Sequence, residues 1–476
     1  MLIGYGPLPR AGLPYLAAPS LRTRHFLKPI LEAGHTVNLF TLPVTGSEGP
    51  EGTISAMRPD TYEGLGFQRF TNHSGEFAIR AITEQARQLQ PDAIVGVNTF
   101  AAWVASQAAT TVPVWADLNG YLMGEVQGQC AMDQQDERLL EFWRQERAIL
   151  RRCDKFSAVS RPQLHAVLGE MGGLGRLNRL TFHYQLGHCI PNAACALSEL
   201  IGAPEHGQAA GPVLRGPVVP TDAFIILWSG GFNIWADIPT MIAAMNKLME
   251  RYPTVHFVST GGRVEGVVSN NYQIFEELVE QSPFKDRFHR LGWVGPERLS
   301  LIFKEANLGI SVDQKCYETI FGARNRINTM AVEGLAVVST IGTELTEWLE
   351  DGHALLAAPP GDPAALAEVI EPWIEQREGL ERFAHNALAI MREDFSYEKT
   401  TRPLLNWLTQ PRLAPDNRAK VERSEGKLTD LNAVTINSLE EEALLLDQHK
   451  PQELKQALAE LESQGRPRRR FNFGFH

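Results

Sequence analysis

Apolar runs alternate with amphipathic stretches along the first 200 residues. The runs at 2–6 ("LIGYG"), 36–43 ("TVNLFTLP"), 92–98 ("DAIVGVN") and 112–118 ("VPVWADL") are short and almost continuously apolar, which is typical of strands buried on both faces. The stretches between them have helical periodicity, as at 99–109 ("TFAAWVASQAA"). Strands separated by helices in this way predict a parallel sheet covered by helices on both faces.

A second series of the same kind begins at residue 224. The apolar run "FIILW" (224–228) is followed by a predicted helix at 236–251, and strands and helices then alternate as far as residue 352. The two series are separated by residues 202–222, which are rich in Gly and Pro and have no periodicity, so they are predicted to be a linker.

These patterns predict an α/β protein with two doubly wound, Rossmann-like parallel-sheet domains and a helical C-terminal extension. The predicted boundaries are an N-terminal domain at 1–200, a linker at 201–222, a C-terminal domain at 223–395, a helix at 396–410 that crosses back to the N-terminal domain, and a charged helical tail at 411–476. Ligands of such sheets bind beyond the carboxyl ends of the strands, so the cleft between the domains is the predicted site.

Composition narrows the class of protein. A chain of 476 residues exceeds what one hydrophobic core usually organises, and its net charge of −11 argues against coating nucleic acid. Five scattered cysteines without a C-x-x-C pair predict neither a disulfide framework nor a zinc site. With no secretory start and no long apolar run, we expect a cytoplasmic protein without a transmembrane segment.

Two adjacent glycines follow the first strand of the second series. Gly230 and Gly231 in "WSGGFN" stand between the apolar run and the predicted helix at 236–251. Glycine accepts positive φ and lets a backbone approach a ligand closely. The pair therefore indicates either a tight turn or a phosphate held against bare amides at a helix N-terminus. The glycines alone favour the turn.

The second half of the chain resembles, element by element, the C-terminal domain of the large retaining GT-B glycosyltransferase family that uses nucleotide-sugar donors. The segment 291–313 ("LGWVGPERLSLIFKEANLGISVD"), "RINTMAVEGLAVVST" (326–340) and the stretch 341–370 resemble three successive family motifs, and "IPNAA" (190–194) is similar to the family's "IPNGV". The resemblance is strong over 190–395 and only general over 1–190. It implies GT-B architecture, and it makes the phosphate interpretation of the glycine pair the favoured one.

The chain departs from the family at two points, which indicates a divergent subgroup. The family places an Arg and a Lys on the donor diphosphate shortly after its first C-domain strand, whereas this chain has "GGFNIWAD", without a cation. In place of the family motif E-x-x-x-x-x-x-x-E it has "ETIFGARNRIN", in which Glu318 and Asn328 are differently spaced.

Three residues of that stretch, Arg324, Arg326 and Glu318, are predicted to be catalytic. Arginine is the best substitute for the missing cations because its planar fork donates two parallel bonds to phosphate. Side chains two residues apart on an extended segment point to opposite sides, so one arginine is expected to clamp phosphate while the other pairs with Glu318. Glu318 is almost as well explained as an exposed loop acid.

A larger set is implied to bind the donor, partly by the resemblance alone: Gly230, Gly231, Asn233, Arg263, Trp293, Val294, Lys315 and Asn328. Turns and surface charges are the alternative explanations for Arg263 and Lys315. On the acceptor side, Gly6, Asp117 and Asn119 lie at predicted strand ends. Asp117 and Asn119 could instead be ordinary helix N-caps.

The function that the resemblance implies is transfer of a hexose-type sugar from a nucleoside diphosphate donor to a hydroxyl acceptor, with retention. We expect no cofactor and no metal ion, since no D-x-D motif follows a strand. The alternatives are a nucleotide-sugar epimerase and a catalytically weak GT-B binding or assembly protein. The amphipathic helix predicted at 451–465 could dock on the body of the protein or on a second subunit.

Overall fold

The computed structural model describes residues 1–44, 54–201, 211–263, 270–424 and 427–433. They form two α/β domains, each built on one sheet. The predicted fold class, with two doubly wound domains and C-terminal helices, is confirmed. None of the helices in these ranges is long and apolar enough to span a bilayer.

The N-terminal domain is built on a sheet of eight described strands. Its strands are β1 (Leu2–Gly6), β2 (Leu39–Pro43), β3 (Met57–Tyr62), β4 (Leu65–Phe70), β5 (Ile94–Val97), β6 (Val114–Leu118), β7 (Lys155–Ala158) and β8 (Gly187–Cys189). Its helices are α1 (Ala18–Glu32), α2 (Gly75–Leu89), α3 (Thr99–Gln107), α4 (Leu122–Asp133), α5 (Glu137–Arg152) and α6 (Arg161–Gly173). The strand order is β3-β4-β2-β1-β5-β6-β7-β8, and only the β3–β4 pair is antiparallel.

The C-terminal domain is built on a second, fully parallel sheet. After the short helix α7 (Leu197–Ile201), its strands are β9 (Phe224–Ser229), β10 (Val255–Thr260), β11 (Phe288–Arg290), β12 (Leu308–Ser311), β13 (Val337–Thr340) and β14 (Leu356–Ala358). Its helices are α8 (Ile238–Arg251), α9 (Asn271–Gln281), α10 (Pro296–Glu305), α11 (Tyr317–Phe321), α12 (Asn325–Val332), α13 (Glu344–Asp351), α14 (Pro363–Ile370) and α15 (Pro372–Glu375). The strand order is β11-β10-β9-β12-β13-β14.

Strand β9 illustrates why the strands are continuously apolar. Successive side chains point to opposite faces of a sheet. Phe224, Ile226 and Trp228 enter one hydrophobic core, while Ile225 and Leu227 enter the core on the other face. A strand between two helical layers has no polar face, and the apolar run at 224–228 is the result.

The chain returns to the N-terminal domain after helix α16 (Leu380–Asp394). Helix α17 (Tyr397–Leu408) packs on α1, and Trp407 lies 5.5 Å from the ring of Trp115. The hydroxyl of Tyr397, at the start of α17, lies 3.6 Å from the Sγ of Cys195, which precedes the linker. The two points where the chain passes between the domains are therefore neighbours in space.

The predicted linker and the predicted C-terminal tail both contain residues that pack against the domains, which their sequences did not indicate. In the linker, Leu214 and Val219 are buried in the C-terminal core. Within the predicted tail, helix α18 (Pro415–Arg423) packs on the N-terminal domain, where Asp416 forms a buried ion pair with Arg176. The helix predicted at 451–465 lies outside the described residues.

Candidate functional site

Two glycine-containing loops lie side by side at the carboxyl ends of β9 and β10. Gly230 follows β9 with a φ of +89°, in the left-handed region that favours glycine. A Cβ atom on Gly261 would lie 2.0 Å from the Gly230 carbonyl oxygen. Backbone therefore touches backbone here, and a side chain at position 261 would force the two loops apart.

The glycine pair does not lie at a helix N-terminus, contrary to one part of the sequence interpretation. Helix α8 begins at Ile238, and six residues separate it from Gly231. The Asp237 side chain accepts a hydrogen bond from the Thr240 amide and already caps the helix. The dipole of α8 therefore does not reach the glycine loop, since such effects are confined to the first turn.

Arg326 supplies positive charge to this loop. Its Nε donates to the Ser229 carbonyl and its Nη2 donates to the Gly231 carbonyl, each at 2.5 Å. The guanidinium carbon lies 3.5 Å from the ring centroid of Trp228. Burial lowers the pKa of Arg326 to about 9, although Asp313 opposes that shift, so the side chain is protonated at neutral pH. Nη1 forms no hydrogen bond with the residues that the structure describes and can still bind an anion.

Arg324 has its hydrogen-bonding groups directed to a different part of the molecule. Nε donates to the Asp313 carboxylate at 2.6 Å, and the two terminal nitrogens donate to the two Glu318 carboxylate oxygens at 3.0 and 2.8 Å. The Ala323 carbonyl and the Thr319 hydroxyl accept the remaining two N–H groups. A guanidinium has five N–H donors, and all five of Arg324 are engaged within the protein. The predicted phosphate role is thus contradicted for Arg324 in this arrangement.

Glu318 is the partner that neutralises Arg324. It is buried, and both of its carboxylate oxygens accept hydrogen bonds from this one arginine. Burial raises its pKa, although Arg324 opposes the shift. The expectation that one arginine would pair with Glu318 while the other pointed elsewhere agrees with these contacts. The exposed-loop explanation of Glu318 is wrong.

Trp293, one of the predicted donor-binding residues, meets the N-terminal domain at the β11 edge of the second sheet. The Trp293 indole Nε1 donates to the Arg263 carbonyl at 3.1 Å, and the Trp293 ring lies 4.9 Å from the ring of Tyr15. Nearby, the Gly12 amide donates to the Glu297 carboxylate at 2.6 Å. The loop that follows β1 therefore closes this end of the cleft.

Four other predicted donor residues are less informative. Val294 is buried, whereas Lys315 is exposed beside α11. The Asn233 carbonyl accepts a hydrogen bond from Asn271 at 2.5 Å, which fixes the loop before α8. Asn328 turns away from the glycine loops, because its Nδ2 donates to the Asn192 carbonyl at 2.6 Å.

The acceptor-side prediction fails for Asp117. This residue lies within β6 and is fully buried, where its carboxylate accepts two hydrogen bonds from Arg22, at 2.7 and 3.0 Å, and one from Ser157. A substrate hydroxyl would have no access to it. Asn119 is half-buried and donates to the Asn98 side chain at 2.8 Å, and Gly6 ends β1 beside Thr41.

The sequence analysis missed a group of carboxyls on the N-terminal side of the cleft. Burial raises the pKa of Glu125 to about 8, and the nearby Glu318 carboxylate adds to the shift. Burial also raises the pKa of Glu146 and Glu170, and the latter accepts a hydrogen bond from the Tyr121 hydroxyl. These residues are spread over α4 to α6, and no local motif marks them.

A signal that the sequence did contain is the spacing of Arg326. It follows Glu318 by eight residues, which is the spacing of the two glutamates in E-x-x-x-x-x-x-x-E. Arg326, rather than Asn328, therefore occupies the second position of the motif by spacing. Among the described residues, no group of three or more His, Cys, Asp or Glu side chains is arranged to hold a metal ion.

Comparison with known proteins gives consistent results. Residues 223–376 match the family model described as "Glycosyl transferases group 1". No curated protein matches the sequence. Among solved structures, a sucrose-phosphate synthase from Thermosynechococcus elongatus aligns with a TM-score of 0.61 and 18% identity, over 86% of this chain and 98% of that chain.

Two further structures are similar in fold. HepE of Anabaena, in complex with UDP-glucose, has a TM-score of 0.58 and 16% identity, over 86% of this chain and 98% of that one. An α,α-trehalose-phosphate synthase (UDP-forming) from Burkholderia xenovorans, in complex with glucose-6-phosphate, has a TM-score of 0.62 and 11% identity, over 86% and 99%. At these identities the likeness establishes the fold of this chain and not its substrates.

Proposed function

We propose that the chain is a glycosyltransferase that transfers a hexose-type sugar from a nucleoside diphosphate sugar to a hydroxyl group of an acceptor, with retention of configuration. The GT-B fold and the match of residues 223–376 to the group 1 family model support this proposal. Donor and acceptor would meet in the cleft between the domains, where the carboxyl ends of both sheets face each other.

The observation that carries the proposal is the position of Arg326. Two backbone carbonyls orient its guanidinium beside the loop of Gly230 and Gly231, and the ring of Trp228 lies against it. Its unengaged Nη1 can therefore reach an anion placed on this loop without reorganising. When the glycosidic bond breaks, negative charge develops on the leaving diphosphate, and a donor already fixed in place stabilises that charge most effectively.

The proposed donor carries a uridine diphosphate. Support comes from two proteins of similar fold, HepE, which binds UDP-glucose, and the UDP-forming α,α-trehalose-phosphate synthase. Trp293 and Val294, at the β11 end of the cleft, are the proposed contacts of the base. The reaction is proposed to need no divalent cation, because Arg326 can neutralise part of the diphosphate charge.

A nucleotide panel tests the donor side of the proposal. We expect UDP to raise the melting temperature more than GDP, TDP, CDP or ADP, because a ligand that binds only the folded state stabilises it. The control is uridine, which lacks the diphosphate and should give a much smaller shift. No shift with any of the five diphosphates would contradict the proposed donor site.

A panel of UDP-sugars with hydroxyl acceptors tests the reaction itself. Transfer releases UDP together with a glycosylated acceptor, whose anomeric configuration by NMR shows retention or inversion. An epimerase would instead change the free sugar nucleotide without releasing UDP. Binding without either change would indicate a protein that recognises nucleotide sugars without reacting with them.

A further inference from the structure

A pocket of about 180 Å³ lies between the two domains, away from the glycine loops. The N-terminal domain contributes Ser160, Arg161 and Asn192, and the C-terminal domain contributes Asn328, Glu344 and Trp348, among others. Its C-terminal wall includes residues of α12 and α13, on either side of β13, together with Gly322, Ala323 and Phe395. The Tyr15–Trp293 contact lies elsewhere, after the edge strand β11. None of its lining residues belongs to the loops after β9 and β10.

An unsatisfied hydrogen-bond acceptor lines this pocket. Asn328 is only 2% exposed, and its Nδ2 donates to the Asn192 carbonyl, so the orientation of the amide is fixed. Its Oδ1 is buried and has no hydrogen-bond partner among the residues that the structure describes. An orphaned buried acceptor is destabilising, because it has lost its hydrogen bonds to water without replacing them. A ligand that donates a hydrogen bond at this position would remove that cost.

The charges of the pocket are already balanced. The Glu344 carboxylate accepts a hydrogen bond from the Arg161 amide at 2.8 Å, and its other oxygen lies 3.4 Å from the Arg161 guanidinium. With the two side chains paired, neither a phosphate nor an ammonium group would find an uncompensated partner here. The chemistry of the polar lining therefore favours a neutral ligand with hydroxyl donors.

The remaining wall is apolar and partly aromatic. Leu345, Trp348 and Phe395 line it, and the Trp348 and Phe395 rings meet edge to face at 5.4 Å. Trp348 is 37% exposed, whereas Leu345 and Leu349 of the same helix are buried. An exposed indole face can pack against the apolar face of a sugar ring.

Size completes the description of the ligand. An apolar cavity of about 150 Å³ accommodates one benzene molecule, so about 180 Å³ suffices for a single six-membered ring. We infer that this pocket binds one neutral sugar ring, with a ring hydroxyl donating to Asn328 Oδ1 and the apolar face of the ring against Trp348. The site is separate from the donor surface beside Gly230 and Gly231, and direct binding does not depend on the proposed function.

Occupation of the pocket would also hold the domains together, because both domains supply its walls. Contacts between them already surround it, since the Ser160 hydroxyl donates to the Phe321 carbonyl at 2.6 Å and Glu344 bonds Arg161. A sugar ring bound here would contact both domains and would therefore stabilise the arrangement of the domains seen in this structure.

Saturation-transfer NMR on the full-length protein tests the inference directly. The probes are methyl α-D-glucopyranoside and methyl β-D-galactopyranoside, with glycerol, uridine and choline chloride as comparisons and sodium phosphate, which has no protons to observe, as a competitor. We expect a methyl glycoside to receive saturation and to keep its signal when UDP is added. Displacement by UDP would place the ring at the donor site and overturn the inference, and so would binding of uridine, choline or phosphate in preference to the glycosides.

Two variants locate the binding. Trp348→Ala removes the aromatic wall and Asn328→Leu removes the acceptor, and each should weaken glycoside binding at least tenfold. The matched control is Trp143→Ala on α5, a tryptophan of similar exposure that does not line the pocket. The UDP-induced melting shift, measured on Trp348→Ala, should equal that of the parent. Unchanged glycoside binding in Trp348→Ala would place the ring outside this pocket, and no binding by the parent would leave the pocket to water. Either result would refute the inference.

Discussion

Arg324 and Arg326 are the same residue type, two positions apart at the start of α12, and they lie in contrasting surroundings. Arg324 donates all of its N–H groups to acceptors within residues 313–323, whereas Arg326 reaches across to β9 and keeps one nitrogen without a partner among the described residues. The first arginine belongs to a closed ion-pair cluster, and the second is half-buried beside the glycine loop with one donor to spare. The comparison indicates that the number of remaining donors, and not charge or sequence position, separates a structural arginine from a candidate catalytic one.

The largest expected effect is on stability, when Arg324 is removed. Arg324→Ala leaves Asp313 and Glu318 buried without their cation, and breaking such a pair costs about 3–5 kcal/mol. The free energy of unfolding, measured by urea denaturation, should fall accordingly. Arg80→Ala, which removes an exposed arginine from α2, is the control and should change it by less than about 0.5 kcal/mol. A parental free energy in Arg324→Ala would show that the cluster is not structural.

Arg326→Ala should show the opposite pattern, with a large effect on turnover. Loss of one preorganised donor to a developing charge lowers kcat by about 10²–10³. Affinity for UDP should change less, because the contact strengthens as the leaving group gains charge. Arg326→Lys keeps the charge and loses the fork, so we expect only partial recovery.

Kinetics of transfer and UDP titrations measure these effects, after unfolding curves have shown that each Arg326 variant is folded. Near-parental turnover in Arg326→Ala would refute the clamp and direct attention to Arg263 and Lys315.

The pH dependence of stability tests the Arg324 cluster through Glu125, a residue of the N-terminal domain that lies near it. Arg324 already pairs with Glu318, so it only partly offsets the effect of burial on the nearby Glu125. The pKa of Glu125 is therefore about 8 in the folded state, against an ordinary value of 4.5. The folded state therefore holds a proton that the unfolded state has released between these values, so the free energy of unfolding should fall as pH rises from 5 to 8. In Glu125→Gln this decline should be shallower by about 3 kcal/mol. Urea denaturation of the parent and of Glu125→Gln at pH 5 and pH 8 measures the difference. An equal decline in the two proteins would show that Glu125 is not the group responsible.

The smallest expected effect is that of chelation. If Arg326 supplies the charge compensation, dialysis against EDTA should leave the transfer rate unchanged, and addition of Mg²⁺ or Mn²⁺ should not raise it. A complete loss of activity that either cation reverses would show that the arginine is not sufficient.

The fold could be predicted from the sequence because its strands are buried on both faces. The run at 224–228 and its counterparts have no polar positions, which is the pattern of a parallel sheet between helices. The β3–β4 hairpin was not predicted, because β3 is largely exposed and its sequence "MRPDTY" is polar. The sequence places helix α18 in the predicted charged helical tail but does not predict its docking, which depends on Arg176, 240 residues away in sequence.

The site was less predictable, because its residues are selected by distant partners. Asp117 resembles a substrate ligand at a strand end until Arg22, 95 residues earlier in the chain, covers it. The glycine loops could be predicted, but the six residues before α8 could not, because the cap at Asp237 determines where that helix begins. Which arginine faces the loops depended on Asp313, at the end of the preceding strand.

The proximity of Cys195 and Tyr397 has a mechanical consequence. The chain enters the C-terminal domain soon after Cys195 and leaves it just before Tyr397, so the two bodies are joined at two neighbouring points. Rotation about this place moves the connecting segments least. Any opening and closing of the two domains is therefore expected to take place about an axis near Cys195 and Tyr397.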